Sequence, residues 1–271
     1  MRRRRCRNGS EMIENWNRRA QCYAQRTSEQ NARERQKMVI AMLEKEGALR
    51  PGFSVLDIGA GPGNYTIPFA RLCRQVTAVE PAAEMVRILK DKVAAEQLEN
   101  VRIIQRTWQE VRVEEEGMTG QFDLVFASMT PGVQDPETLE KMIKASRGYC
   151  YLSAFSGQRW GRAHRDLWQR FFNEDIGGNP GDILYPFGLL YAMGYRPNLR
   201  FVANRRMREH RMEEAIEELT RFFWNYMDIT PEVRQVIEEY VREHARDGVF
   251  QQETGGCWGM MLWRVNDVVA G

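Results

Sequence analysis

The sequence lacks any apolar run approaching the ~20 residues that a membrane-spanning helix needs. Its five cysteines, Cys6, Cys22, Cys73, Cys150 and Cys257, include no CxxC pair, which argues against a zinc site and a disulfide framework. We therefore expect a cytoplasmic protein without metal or membrane association. With 43% apolar and 28% charged residues, the 271-residue chain suits one large domain, or one domain with a substantial insertion.

The chain also lacks a large excess of charge of either sign, since it contains 39 Lys and Arg and 37 Asp and Glu residues. Five of the first seven residues are arginine, so the rest of the chain is slightly acidic. This balance lacks the basic excess typical of nucleic-acid-binding proteins, and a nucleic-acid partner is not expected. We interpret the arginine cluster as a solvated terminus, although contact with RNA or an anionic membrane stays open.

Apolar periodicity predicts helices over about 11–46, followed by strands alternating with helices. The predicted strands are 54–58, 75–79, 101–105, 122–127 and 149–155. Such alternation is typical of right-handed βαβ units and a parallel sheet. The second half is predicted to be mostly helical, with strands at about 199–204 and 258–265. Thr230 and Pro231 have the residue types of a helix start.

The most informative segment is Val55–Asn64, in which an apolar strand enters a turn dense in glycine. Gly59, Gly61 and Gly63 have no Cβ, so their backbone can approach a ligand closely. Ligands of open α/β sheets bind at the carboxyl ends of the strands. The sequence therefore predicts a small-molecule site near residues 57–64.

Two residues of this turn favour S-adenosylmethionine over a dinucleotide. In the dinucleotide pattern GxGxxG, the third glycine would fall at Asn64. Pro62 has no N–H to offer a pyrophosphate, whereas S-adenosylmethionine carries no phosphate. A nicotinamide-dependent oxidoreductase is the disfavoured alternative.

Two carboxylates accompany the turn. Glu80 ends the second predicted strand, where a carboxylate can accept hydrogen bonds from both hydroxyls of a ribose. Asp57 precedes the turn and could pair with the ammonium group of the ligand. The alternative for Glu80 is that, with Pro81, it only caps the following helix.

These residues resemble those of class I S-adenosylmethionine-dependent methyltransferases. The resemblance is carried by Asp57-Ile58-Gly59-Ala60-Gly61-Pro62-Gly63 followed by Val79-Glu80-Pro81, and it extends over roughly residues 10–155. It implies an α/β fold with a doubly wound, mostly parallel seven-stranded sheet whose last strand is antiparallel. N-terminal helices over 1–50 would cover the cofactor. A Rossmann-like domain over 51–271 would carry helical substrate-side insertions at about 156–195 and 207–248, the second between the last two strands.

The resemblance also implies cofactor contacts beyond the turn. Trp16, Ala20 and Tyr23 match a segment lying over the cofactor, although they could equally pack the helix against the sheet. The expected cofactor-binding residues are Tyr23, Asp57, Gly59, Ala60, Gly61, Asn64, Glu80, Pro81, Met85, Thr107, Trp108, Gln109, Ser128 and Met129. Among them, Met85 and 107–109 would flank the adenine. Trp108 could instead belong to the core.

The resemblance implies methyl transfer to a small-molecule acceptor by in-line displacement. Residues 128–131 lack the paired prolines and the aromatic residue of the amino-methylating subclass, so methylation of a base amine is not supported. His164, on an aromatic helix face, is the candidate general base, with a packed histidine as the alternative. An RNA or protein methyltransferase and a non-enzymatic binding protein remain alternatives. The inserted helices could also form a homodimer contact.

Overall fold

The computed structural model describes residues 8–27, 30–157, 160–178 and 181–268, without the side chains of 31, 204–206 and 253–255. The arginine cluster of the first seven residues lies outside this range. Within the described residues, no helix is both long enough and apolar enough to cross a membrane.

Contacts divide the chain into two compact units. The sheet unit contains the described residues within 10–154, 181–200 and 259–268. The helical unit contains those within 8–9, 155–178 and 201–258. Most of residues 1–50 and the second part of the segment 156–195 lie in the sheet unit, and the predicted domain division stays a prediction.

A seven-stranded, mostly parallel sheet organises the fold, with the strand order β3-β2-β1-β4-β5-β7-β6 and an antiparallel last strand. The predicted fold class is thereby confirmed. The strands are β1 Ser54–Ile58, β2 Gln75–Val79, β3 Val101–Ile104, β4 Phe122–Ser128, β5 Ser146–Ser156, β6 Asn198–Arg211 and β7 Val249–Arg264.

Nine helices are described. They are α1 Gly9–Thr27, α2 Gln30–Lys45, α3 Thr66–Leu72, α4 Ala83–Ala95, α5 Pro136–Ala145, α6 Arg162–Phe172, α7 Leu184–Ala192, α8 Met212–Trp224 and α9 Pro231–His244. Helices α8 and α9 separate β6 from β7, so the helical insertion predicted between the last two strands is present.

The central strands form as predicted because both of their faces are covered. All five residues of β1 are buried, and β1 pairs in parallel with β2 and β4. Asp57 lies in register with Phe126 of β4, and Phe126 with Tyr151 of β5. Because side chains on paired strands in register share a face, these three project from the same side of the sheet.

The last two strands are longer than predicted. Strand β6 continues to Arg211 rather than ending near 204, and β7 begins at Val249 rather than 258. The residues that lie beyond the predicted bounds of these two strands are mostly polar and charged. His210, within the added part of β6, has only 5% of its surface exposed. Hydrogen bonding between strand backbones therefore extends β6 and β7 through segments whose polar composition does not favour strands.

Much of the aromatic content of the second half packs into a core of the helical unit. Trp168, Phe171 and Phe172 of α6 contact Phe223 of α8 and apolar residues of α9 in one buried cluster. Thr230 caps α9 as predicted, since its side chain accepts a hydrogen bond from the Val233 N–H. These aromatic residues thus build a core of their own within the helical unit.

Candidate cofactor site

Two backbone hydrogen bonds direct the glycine turn towards the end of β2. The N–H groups of Gly59 and Ala60 donate to the carbonyl oxygen of Val79, at 2.8 and 3.1 Å. Gly59, Gly61 and Gly63 have φ values of +71°, +55° and +83°. Non-glycine residues rarely adopt this left-handed region, which explains why the turn is built from glycine.

Protein atoms approach two of the three glycines. A Cβ on Gly59 would lie 2.6 Å from the Thr130 Cβ, and one on Gly63 would lie 2.5 Å from the Leu89 Cδ1. At Gly61 the nearest atom, Cε1 of the Tyr23 ring, is 3.9 Å away. We expected a ligand to approach all three glycines closely. Instead, the side chains of Thr130 and Leu89 occupy the space beside Gly59 and Gly63, and of the three glycines only Gly61 leaves room for a ligand.

Glu80 joins the turn to the start of α4. Its Oε2 accepts a hydrogen bond from the Gly61 N–H at 2.8 Å, and its Oε1 accepts one from the Ala82 N–H at 2.9 Å. Burial raises the pKa of this carboxyl, and the two N–H donors partly oppose the rise. A carboxylate has about four acceptor positions, so two remain after these bonds. Glu80 therefore anchors the helix start and still has capacity for two ribose hydroxyls.

Asp57 lies beneath the turn, 2% exposed. Its Oδ2 accepts a hydrogen bond from the Thr66 hydroxyl at 2.6 Å. The pKa of Asp57 is raised to about 7, mainly by burial and also by the charge of Glu80, while hydrogen bonding to Thr66 opposes the rise. A cation placed nearby would favour the ionised carboxylate, as the ammonium group of S-adenosylmethionine would.

The end of β4 supplies a third side of the site. The hydroxyls of Ser128 and Ser153 lie 3.0 Å apart, and the Met129 N–H donates to the Ser153 carbonyl at 2.9 Å. Met129 has a φ of +53°, an unfavourable conformation for a residue with a Cβ. The segment 128–130 therefore leaves the strand in a strained turn directly beside Gly59.

The N-terminal helix α1 reaches this site through Tyr23. Tyr23 is partly buried with Trp16, 5.6 Å away in an edge-to-face arrangement. Both pack against a buried cluster that includes Ala20 and Met85. Packing, one of the two interpretations of this segment, is therefore observed, and Tyr23 also borders Gly61.

The remaining predicted residues lie around the same edge. Asn64 accepts a hydrogen bond at its carbonyl from the Gln36 side chain, and Thr107 donates to Glu110. Trp108 is 2% exposed in the core, where its indole N–H donates to the Thr138 carbonyl at 3.0 Å. Its burial favours the core interpretation, whereas Gln109 is exposed at the surface.

His164, the candidate base, belongs to the helical unit, whereas the other predicted site residues belong to the sheet unit. It is 9% exposed and packs against the rings of Trp160 and Phe222, and its Nδ1 lies 3.5 Å from the Gln252 side chain. A catalytic role for His164 therefore stays a prediction. Among the described residues, no three His, Cys, Asp or Glu side chains form a metal-binding group.

Three polar residues near the site were missed by sequence reasoning: Arg35 of α2, Tyr65 before α3 and Tyr151 of β5. Burial raises the pKa of Tyr23, Tyr65 and Tyr151, and the Arg35 charge opposes the rise at all three hydroxyls. The strand register could have revealed Tyr151, because Tyr151 pairs with Phe126 and Phe126 pairs with Asp57 across the sheet.

Residues 55–149 match a family model described as a methyltransferase domain. A probable ribosomal RNA small subunit methyltransferase A of Methanosphaera stadtmanae is 41% identical over 51 residues, which cover 19% of each chain. A 23S rRNA (uracil(1939)-C(5))-methyltransferase of Acidithiobacillus ferrooxidans is 30% identical over 37% of this chain and 28% of the relative. The chain thus spans under a third of the length of these relatives.

Two solved structures share the fold. The YcgJ protein of Bacillus subtilis superposes with a TM-score of 0.55 at 14% identity, covering 82% of this chain and 96% of that one. Magnesium protoporphyrin IX methyltransferase of Synechocystis, with bound SAH, has a TM-score of 0.51 at 13% identity, covering 85% and 81%. These two likenesses show the fold alone, and the family match places a methyltransferase domain over residues 55–149, in agreement with the resemblance.

We expect Gly59→Ala to destabilise the protein more than Gly52→Ala. Both glycines have a positive φ, but a Cβ at Gly52 would meet nothing within 4 Å. Backbone strain should cost each variant about 1 kcal/mol, and the clash with Thr130 should add roughly 1–3 kcal/mol to Gly59→Ala alone. Urea unfolding measures both changes. Equal losses in the two variants would mean that Thr130 moves aside freely.

The raised pKa of Asp57 predicts a specific pH dependence of stability. Its folded pKa, about 7, exceeds the ordinary 3.8, so the native state holds the proton more tightly. Asp57 therefore stabilises the native state fully below pH 3.8. Between pH 3.8 and 7, its contribution to the free energy of unfolding falls by about 1.4 kcal/mol per pH unit.

Asp57→Asn keeps an acceptor for Thr66 and should remove this slope, whereas Asp91→Asn, at an exposed carboxylate, should keep it. Urea unfolding at four pH values between 4 and 7.5 measures the slopes. Parallel curves for the wild type and Asp57→Asn would show that Asp57 is ionised throughout.

Proposed function

We propose that this protein is an S-adenosylmethionine-dependent methyltransferase that acts on a small-molecule nucleophile by in-line displacement. The observation that carries the proposal is the Glu80 carboxylate, which holds the glycine turn and the start of α4 while two of its acceptor positions remain. This arrangement offers what a ribose needs and offers no cluster of N–H donors to a pyrophosphate.

Each residue of the site then has a defined task. Glu80 binds the ribose hydroxyls, Gly61 leaves room beside Tyr23, and Asp57 attracts the ammonium group. S-adenosylmethionine, when bound, supplies a methyl group on a sulfonium whose departure leaves a neutral thioether, so no acid is needed there. Orientation by the chain is therefore the main contribution, and such alignment can be worth ~7–11 kcal/mol.

Ion pairing on the surface of the sheet unit favours a small acceptor over RNA. The guanidinium groups of Arg71, Arg87, Arg106, Arg112 and Arg147 all contact carboxylates. RNA binding requires basic groups that neutralise phosphates. An arginine that is paired with a carboxylate contributes little, because its charge is already compensated. The rRNA methyltransferases among the relatives match over only part of their length and do not decide the acceptor.

We also propose a cytoplasmic location. The proposal is supported by the scattered cysteines without a CxxC pair, because cysteines without a disulfide framework are typical of a reducing compartment. A homodimer through the inserted helices stays a prediction.

Cofactor binding can be tested at Glu80. Glu80→Gln removes the charge and gives one of the two N–H donors a poor partner, so affinity for S-adenosylhomocysteine should fall at least about 10-fold. Glu84→Gln, on the exposed face of α4, should bind like the wild type. Isothermal titration calorimetry measures all three proteins, with NADH as the comparison ligand. Tighter binding of NADH than of S-adenosylhomocysteine would contradict the proposal.

The acceptor class needs a separate measurement. The protein and S-adenosylmethionine would be incubated either with a low-molecular-weight filtrate of cell extract or with total RNA. Formation of S-adenosylhomocysteine would be quantified by mass spectrometry. We expect turnover with the filtrate and none above background with RNA, and Glu80→Gln should lower the turnover at limiting S-adenosylmethionine. Turnover with RNA and none with the filtrate would contradict the proposal and support an RNA methyltransferase.

A further inference from the structure

Two carbonyl groups of the glycine turn and its exit accept hydrogen bonds from side chains rather than from the backbone. The Lys92 Nζ, on α4, donates to the Pro62 carbonyl oxygen at 2.7 Å. The side-chain amide of Gln36, on α2, donates to the Asn64 carbonyl oxygen. We call Gln36 and Lys92 the turn donors. They come from two different helices, and both are distant from the turn in sequence.

The sequence of α3 explains why the Asn64 carbonyl needs a side-chain donor. The carbonyl groups of the residues on either side of Asn64 accept hydrogen bonds from N–H groups four residues further on, at 3.1 and 2.9 Å. The corresponding donor for Asn64 would be residue 68, which is a proline and has no N–H. The Gln36 amide therefore replaces a backbone donor that Pro68 removes.

Lys92 acts on the part of the turn that has the most conformational freedom. The ring of Pro62 fixes its own φ at about −65°, but its two neighbours are Gly61 and Gly63, with φ values of +55° and +83°. Because glycine has more conformations available than any other residue, a turn that contains two of them needs contacts from outside to keep one shape. The Lys92 bond restrains the peptide group between Pro62 and Gly63.

The position of the Lys92 ammonium group is energetically unfavourable in itself. Lys92 is half-buried, and burial lowers its pKa, which the charge of Glu96 partly opposes. Lysine side chains usually extend their charged ends into water. Lys90, on the same helix, is exposed in this way. The bond to the turn therefore gives Lys92 a purpose that solubility does not explain.

The turn is thus held by side chains from three parts of the sheet unit. Glu80 binds a backbone N–H of the turn, whereas Lys92 and Gln36 bind backbone carbonyl groups. Gly61, the glycine that leaves room for a ligand, directly precedes the peptide groups that the turn donors restrain. A rotation of those peptide groups would change the space that is offered to a ligand.

We infer that Lys92 and Gln36 are positioning residues for cofactor binding, which hold the glycine turn in the conformation that accepts the nucleoside. The inference rests on the proposed function and extends it to two residues outside the motif pair. A site that is already ordered loses less conformational entropy when a ligand binds. Neither side chain takes part in the pairing of β1 with β2 and β4, so their loss should weaken binding while the sheet stays folded.

The test compares variants that remove a turn donor with variants that keep one. Lys92→Met removes the ammonium group, and methionine is a good helix former. Lys92→Arg keeps a cationic donor and should restore binding. Lys90→Met is the matched control at an exposed lysine of α4. Gln36→Met removes the second donor, and its control is Gln30→Met, at an exposed glutamine of α2.

Isothermal titration calorimetry measures the affinity for S-adenosylhomocysteine, and urea unfolding measures the stability of each variant. We expect Lys92→Met and Gln36→Met to bind about 10-fold more weakly, the loss that one hydrogen bond can account for. Lys92→Arg and both controls should bind like the wild type. With the low-molecular-weight filtrate as acceptor, KM for S-adenosylmethionine should rise in the two weakened variants while kcat stays unchanged, because only the binding of the cofactor is affected.

Hydrogen–deuterium exchange of the ligand-free proteins tests the position of the turn directly. Peptides covering residues 61–67 should exchange faster in Lys92→Met and Gln36→Met than in the controls, because the turn is less restrained.

If Lys92→Met and Gln36→Met are less stable but bind S-adenosylhomocysteine as their controls do, the two residues are only structural and the inference is overturned. Binding by Lys92→Arg that is as weak as binding by Lys92→Met would also contradict it, because a cationic donor would then not be what matters. If the wild type itself does not bind S-adenosylhomocysteine, the proposed function fails and this inference fails with it. Normal binding by the wild type and by every variant overturns the inference alone.

Discussion

The Glu80 carboxylate is the contact on which the site depends. It accepts one backbone N–H from the glycine turn after β1 and one from the start of α4, so it fixes both segments relative to the end of β2. The N–H groups of Gly59 and Ala60 reinforce this by bonding to the Val79 carbonyl. Without these bonds the turn would have no fixed position, and the room beside Gly61 would not be defined.

Keeping two acids at this position is energetically unfavourable in the absence of a ligand. Burial raises the pKa of both Asp57 and Glu80, and the charge of Glu80 also disfavours ionisation of Asp57. Donors and a positive charge from a ligand would reverse this penalty, because both stabilise the ionised forms. The burial of Asp57 and Glu80 therefore accounts both for the unfavourable electrostatics of the ligand-free site and for its proposed affinity for a sulfonium nucleoside. Perturbed acids in a strand-end crevice commonly mark functional sites for this reason.

The sequence was most informative where local pattern and tertiary environment agree. Strands β1, β2 and β4 are buried on both faces, so their apolar runs and flanking turns located them closely. Strands β6 and β7 carry polar residues along much of their length, and their true extent depends on pairing between distant segments, which no local pattern reveals. The strand ends nearest the glycine turn were therefore predicted better than those of the inserted helical region.

The same distinction applies to the site. Asp57, Glu80 and the glycines lie in one motif pair, and sequence reasoning found them. Arg35 and Tyr151 were missed because each is one polar residue among many, and no local pattern shows that the Arg35 charge acts on the Tyr151 hydroxyl. Trp108 illustrates the opposite case, since its position after β3 suggested a cofactor contact while its side chain is buried in the core.

The most direct measurement is a crystal structure of the protein grown with S-adenosylhomocysteine. Both ribose hydroxyls should lie about 2.6–3.0 Å from the Glu80 carboxylate oxygens, with the Gly61 and Ala82 N–H bonds to that carboxylate retained. A nucleoside bound elsewhere, with Glu80 contacting only the backbone, would contradict the central role assigned to this residue.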